Sequence, residues 1–305
     1  MSKPYEKLTY RALERASRLA SRTADSLHTV SDRYANKVSD SAPLDKPMQD
    51  IVWFHSIELA DGTVTPGVKP RETLANEELA LNLPTNLKGH SALDIGAWDG
   101  SFSFELERRG AGPVVSLDHY AWSTDQAAYQ KYLRESVAAG KVPVPPDVAP
   151  GTWDPVGLPG RAGFEYARKN LGSGVRPVVG DFMTMDLRAL GRFDIVLFLG
   201  VLYHLRDPFL ALRRLRAVTK GTAVIETAGI NIPGAFDDKL WMFLETTELN
   251  DDPTNWWAPS SAGLVAACRA AGFRDARVIL ESPEYAPPIG SYDHHYGRIT
   301  VHAYA

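Results

Sequence analysis

Asp94, Asp118 and Asp181 each stand at or just beyond the end of an apolar run, and Asp99 lies inside the turn Gly96-Ala97-Trp98-Asp99-Gly100. Carboxylates placed this way accept hydrogen bonds from ribose hydroxyls or an adenine amino group, and they attract cations. A dinucleotide turn reads Gly-x-Gly-x-x-Gly and offers a helix N-terminus to a pyrophosphate. Here Asp99 would repel a phosphate, and a bulky Trp98 fills the centre of the turn. Acids beneath and inside the turn favour a cationic adenosine-bearing ligand, S-adenosyl-L-methionine with its sulfonium and α-amino group, over NAD. An ordinary strand-helix turn with surface acids is the plainer alternative for this segment. His204, His55 and His119 are the candidate proton acceptors, in that order, because imidazole titrates near neutral pH. Each can equally be a satisfied structural histidine. Tyr203 is a candidate for orienting an acceptor or the methionine end of the cofactor.

The elements that must hold these groups follow from periodicity. His90 to Ile95 reads as a strand, the glycine turn follows, and Ser101 to Arg109 has a helical pattern. A second apolar run, Pro113 to Leu117, ends on Asp118, eighteen positions after Gly100. Val178-Val179-Gly180-Asp181-Phe182 has the form of a third strand, with Asp181 for the adenine amino group and Phe182 to cover the ring. Phe193 to Gly200 is continuously apolar, as a parallel strand buried on both faces should be, and Ala223 to Thr227 makes a fifth strand. A basic amphipathic helix is expected from Pro208 to Thr219. Strands alternating with helices predict an α/β fold with a doubly wound, mostly parallel Rossmann-like sheet. The ligand then lies outside the carboxyl ends of the strands, where Gly96, Asp118, Asp181 and Gly200 fall.

Leu93 to Gly100, the run Gly200-Val-Leu-Tyr203-His204-Leu-Arg-Asp-Pro208 and the strand Ile225-Glu226-Thr227 resemble class I S-adenosylmethionine-dependent methyltransferases. More narrowly, the chain is similar to the branch that includes tRNA wobble-uridine 5-carboxymethoxyuridine methyltransferases. Trp53-Phe54-His55-Ser56-Ile57, Asp61-Gly62, Thr65-Pro66-Gly67 and Asn255-Trp256-Trp257-Ala258-Pro259 share in the resemblance. The wobble-uridine enzymes use a carboxylated cofactor held by basic and tyrosyl groups. Tyr203 matches the family tyrosine, and Arg298 falls where the family has an arginine before the last strand. Met48, Gln49 and Asp50 occupy the neighbourhood of the family's lysine, so the ordinary cofactor is expected.

Of 305 residues, 44% are hydrophobic and 23% charged, as in a globular protein. No stretch approaches the length of a membrane-spanning helix, and the N-terminus has no continuous apolar signal core. A lone cysteine, Cys268, excludes an internal disulfide, fits a cytoplasmic location and reads as a buried structural thiol. The net charge of −4 argues against a protein built mainly to grip a polyanion. Residues 1–47 are expected to form a helical extension, with helices between Tyr5 and Val38. Arg11, Arg15, Arg18 and Arg22 lie on it at helical spacing, so it can pack on the body or on a second copy in a homodimer, or meet tRNA phosphates or a membrane surface.

Residues 48–305 form the catalytic domain in this reading. Asp118 and Asp181 are 63 positions apart, more than one helix needs, so an insertion over about 120–165 is expected as a lid or acceptor wall carrying Trp122 and Trp153. A second appendage, over about 229–259, holds Asp237, Asp238, Glu245, Glu248, Asp251 and Asp252, whose charge favours a neutral or cationic acceptor over RNA. Asp293-His294-His295 has metal-ligand residue types without metal-ligand spacing, and no metal site is assigned. The expected activity is O-methylation of a small hydroxylated acceptor such as a sugar or secondary metabolite. Wobble-uridine tRNA methylation and a non-catalytic cofactor-binding partner are the alternatives.

Overall fold

A computed structural model describes residues 46–231, 238–282 and 295–305. The helical extension before Lys46, Asp237 and the pair Asp293-His294 lie outside the described residues. The central sheet has seven strands in the order β3-β2-β1-β4-β5-β9-β8. β1 is Ala92–Ile95, β2 Val114–Asp118, β3 Arg176–Val179, β4 Phe193–Leu199 and β5 Thr219–Asn231. These five are parallel, and β9 (His295–Tyr304) runs antiparallel between β5 and β8 (Asp275–Ser282). The Rossmann-like sheet foreseen from alternating runs is therefore present.

Side-chain alternation along the strands feeds two cores. Leu93, Ile95, Val196 and Phe198 face helices α6 (Pro208–Val218) and α7 (Ser261–Ala270) through Leu212, Leu215, Leu264 and Cys268. Burial pushes the Cys268 thiol up to about 12, so it is inert. On the other face, Ala92, Ile195, Leu197 and Val224 meet Phe104 and Leu106 of α2 (Ser101–Arg108) and Phe164 of α5 (Ala162–Leu171). α1 (Arg71–Ala80) precedes β1, while α3 (Tyr120–Ser123) and α4 (Gln126–Ala138) begin the insertion after β2. β6 (Trp241–Phe243) and β7 (Trp257–Pro259) form a separate two-stranded sheet in the second appendage. A third cluster, Ala228, Ile230, Leu244, Leu249, Ala258 and Tyr296, fastens that appendage to the ends of β5 and β9. No described helix is long and apolar enough to cross a membrane.

Candidate active site

The turn after β1 is fixed by its own backbone. Gly96 and Gly100 have φ of +78° and +87°, and a Cβ on Gly96 would come within 2.5 Å of Val201 Cγ2. Trp98 also takes a left-handed φ of +47°, which costs a residue with a side chain about 1 kcal/mol or more. Three contacts hold it there. Its N–H donates to Asp118 Oδ2 at 2.9 Å, its carbonyl accepts from Trp122 Nε1 at 2.6 Å, and its indole stacks on Phe54 with centroids 4.2 Å apart. The neighbouring Ala97 is buried.

Asp118, at the end of β2, is buried, and burial raises its pKa against the opposing backbone hydrogen bonds. Its Oδ1 accepts from Ala121 N at 3.0 Å. The Trp122 backbone N–H also acts on this carboxylate, so part of its acceptor capacity remains for a ribose hydroxyl. Asp94, under the turn, is only 3% exposed and accepts from Ser103 Oγ at 2.6 Å. Burial pushes its carboxyl up to about 6.

Asp99 corrects the sequence reading. It does not face a ligand: Oδ2 accepts from the backbone N–H groups of Phe54 and His55 at 3.0 and 2.8 Å, while Oδ1 is bonded to His55 Nδ1. Asp99 thereby ties a strap, residues 51–57, across the turn. His55 is correspondingly a buried tether, a poor candidate for moving a substrate proton. Two aromatic expectations fail for a similar reason. Trp122 has no exposed surface and sits in the second core under the Arg161 guanidinium, so it has no face to offer an acceptor. Phe182 is buried in the first core against Phe198 and Arg214, which leaves little of its ring to cover an adenine.

Other expected residues do line the carboxyl edge. Trp153 is half-buried and forms an aromatic corner with His119, at 5.4 Å, and Tyr120, at 5.1 Å, directly after Asp118. Asp181 shapes its own turn, accepting from Met183 N at 2.8 Å and Thr184 Oγ1 at 3.0 Å. At the end of β4, a Cβ on Gly200 would make ordinary contact with Tyr203 Oη at 3.6 Å and Arg298 Nη2 at 4.0 Å. Arg298 lies over the Tyr203 ring at 4.9 Å, and both its Nε and its Nη2 bond the carboxylate of Glu226. Burial raises the pKa of the Tyr203 phenol. His204 follows on the same turn, its ring 4.1 Å from that of Tyr203. Burial lowers its pKa, with Asp252 pulling the other way.

Sequence reasoning passed over Glu226, Thr254 and the bonding role of Asp252. Asp252-Pro253-Thr254 is recognisable as a turn, since Asp252 accepts from Thr254 N at 2.8 Å. Nothing in its spacing reveals that it reaches His204, fifty positions away. Among the described residues, no three His, Cys, Asp or Glu side chains gather to hold a metal ion.

Comparison with known proteins agrees with this geometry. The family model described as "Methyltransferase domain" matches residues 69–278. A protein named tRNA U34 carboxymethyltransferase from Pseudomonas putida is 27% identical over 198 residues, 64% of this chain and 48% of its own length. A namesake from Aeromonas hydrophila is 32% identical over 121 residues, 39% of this chain and 36% of its own length. The chain thus spans about half or less of these curated relatives. The crystal structure of the N-terminal domain of EvdMO1 with SAH bound has a TM-score of 0.52 at 18% identity, covering 90% of this chain and 95% of that one, which is a likeness of fold.

Proposed function

The chain belongs to the methyltransferase-domain family, and from that premise we propose that it methylates a hydroxyl oxygen of a small acceptor, a sugar or secondary metabolite, using S-adenosyl-L-methionine. The observation that carries this reading is the placement of a histidine, His204, beside Tyr203 at the carboxyl end of β4. The residues of this edge fit the cofactor. The left-handed glycines let the backbone of Gly96 to Gly100 turn tightly beneath a ligand, and Asp118 keeps acceptor capacity for the ribose. Asp181, just after β3, is assigned to the adenine amino group, and the neighbourhood of Gly200 and Tyr203 to the methionine end. When bound, the cofactor would supply a methyl carbon activated by positive sulfur, with a neutral thioether as the leaving group.

What remains for the protein is alignment, exclusion of water and removal of the acceptor's proton. His204 accepts that proton, Tyr203 orients the reacting groups, and His119 with Trp153 contributes an aromatic flank that stacks on a sugar or ring acceptor. Asp94 and Asp118 bias the cradle towards a cation.

The second reading, wobble-uridine tRNA modification, is favoured by the names of the curated relatives. Against it stands Glu226. An arginine meant for a carboxylated cofactor needs an open guanidinium, whereas Arg298 already has two bonds to a carboxylate. The test is mass spectrometry of ligand retained by the purified full chain, followed by an acceptor screen with the wild type and His204→Gln. Retained adenosyl-sulfur compound, and methylated small hydroxylated products lost in the variant, are expected. Retained NADH, or methylation of tRNA alone, overturns the reading. Unchanged product formation in the variant removes the histidine's assignment.

A further inference from the structure

Building on the proposed methyl transfer at this site, we infer that Asp252 and Thr254 are positioning residues that lock His204 in one tautomer, with Nδ1 protonated and Nε2 presented to the acceptor hydroxyl. The hydrogen-bond directions require it. His204 Nδ1 lies 3.2 Å from the Thr254 carbonyl oxygen and 2.8 Å from Thr254 Oγ1. A carbonyl oxygen only accepts, so Nδ1 must carry the hydrogen. The Thr254 hydroxyl has a single hydrogen, and it lies 2.6 Å from Asp252 Oδ1, a carboxylate oxygen that also only accepts. The hydroxyl therefore donates to Asp252 and accepts from Nδ1. Reversing either step would set two acceptors face to face.

The Asp252 oxygen is held in turn by Thr254 N at 2.8 Å, so carboxylate and hydroxyl move as one turn. That turn is anchored by Asn255 Nδ2, which donates to the Leu249 carbonyl at 2.7 Å, and by Trp256 N, which donates to the Tyr203 carbonyl at 2.8 Å. Among the described residues Nε2 has no hydrogen-bond partner, and the His204 side chain is only half-buried.

The charged and titratable groups facing this imidazole are few. Asp252 raises its pKa, Arg298 lowers it while paired with Glu226, and Tyr203 packs against the ring. In the proton step the acceptor's O–H hydrogen passes to Nε2, and the oxygen keeps the electron pair that bonds the methyl carbon. The imidazolium so formed shares its charge with Asp252 through the Thr254 hydroxyl, then releases the proton to solvent. Burial raises the hydroxyl pKa values of Tyr120 and Tyr129, and the charge of Asp252 adds to both, which sets the appendage turn near the insertion.

The test reads the imidazole directly. Long-range nitrogen–proton NMR correlations of the full chain are recorded against pH, with the His204 signals assigned by their loss in His204→Gln. The expected result is one neutral tautomer, hydrogen on Nδ1, in the wild type and Thr254→Ser, but mixed tautomers in Thr254→Val. Asp252→Asn should titrate at lower pH, because the group that raises the imidazole pKa has lost its charge. With the acceptor, Thr254→Val should lose about tenfold in kcat with KM within about twofold, and Thr254→Ser should recover it. A wild-type ring protonated at Nε2, or an unchanged tautomer in Thr254→Val, overturns the inference. An intact Nδ1–H tautomer with full methyl transfer by His204→Gln instead overturns the reading of His204 as base, and with it the purpose of the relay.

Discussion

Asp94 shows that a carboxylate counted as negative in a sequence need not be charged in the fold. Burial is the main cause of its rise to about 6, with the nearby Asp118 and Asp99 adding to it and Ser103 and His55 opposing it. The sign then follows. A carboxyl raised above its ordinary value favours the fold fully at low pH, and that contribution is lost as pH climbs through about 6. Cationic groups of a bound cofactor favour the ionised form, so binding near that pH should release a proton. Titration calorimetry in buffers of different ionisation heat should show this release, with affinity about tenfold weaker at pH ~5 than at pH ~7.5. Asp94→Asn should flatten the dependence, and an equal slope in the variant would assign it to another group. The residues that misled the sequence reading share one trait. Asp99, Trp122 and Phe182 have suitable types at suitable positions, but their partners, such as Phe54 and His55 for Asp99, lie far off in the chain. Asp118 was legible because a strand end and its following turn are local.

Among elements, the glycine turn and the loop after β4 are one construction. Gly96 abuts Val201 Cγ2, so the turn proposed to hold the cofactor rests on the loop that carries Tyr203 and His204. Gly96→Ala should lower unfolding stability by about 1–3 kcal/mol, combining a left-handed backbone with a steric clash. Adding Val201→Ala should restore part of that loss, since it removes the clash and leaves the backbone strain; denaturant melts of the four forms measure the coupling. Full additivity would mean that the two loops do not touch in solution. The strands of the parallel core were legible because both faces are covered, which makes β1, β2 and β4 nearly unbroken apolar runs. β5 proved longer than its apolar centre, because it continues beyond β4 to pair with β9 as far as Asn231. β8 left a weaker trace, for an edge strand such as Asp275–Ser282 keeps exposed residues, including Val278 and Leu280, within its run.

At the scale of the molecule, the proposed acceptor space draws on segments far apart in sequence: the His119–Trp153 corner, the Asp252–Thr254 turn and the end of β4. This is why the cofactor could be inferred from one local stretch and the acceptor could not. Charge gives the remaining discrimination. A polyanion is gripped by lysines and arginines whose contacts release counterions, so each phosphate bound steepens the salt dependence by roughly 0.9 in log–log slope for a duplex and 0.7 for a single strand. The carboxylates at this edge oppose such contacts, and Arg298 is neutralised by Glu226. The chain's net charge is −4, although residues 1–46 carry nine Lys or Arg against six Asp or Glu. Filter binding of bulk tRNA by the full chain at two salt concentrations should therefore give no retention near physiological salt and little change between the two. Strong retention with a steep slope would move the acceptor to RNA. Loss of that retention on removing residues 1–46 would then trace it to the basic extension, leaving the carboxylate-lined edge free for a small hydroxylated molecule.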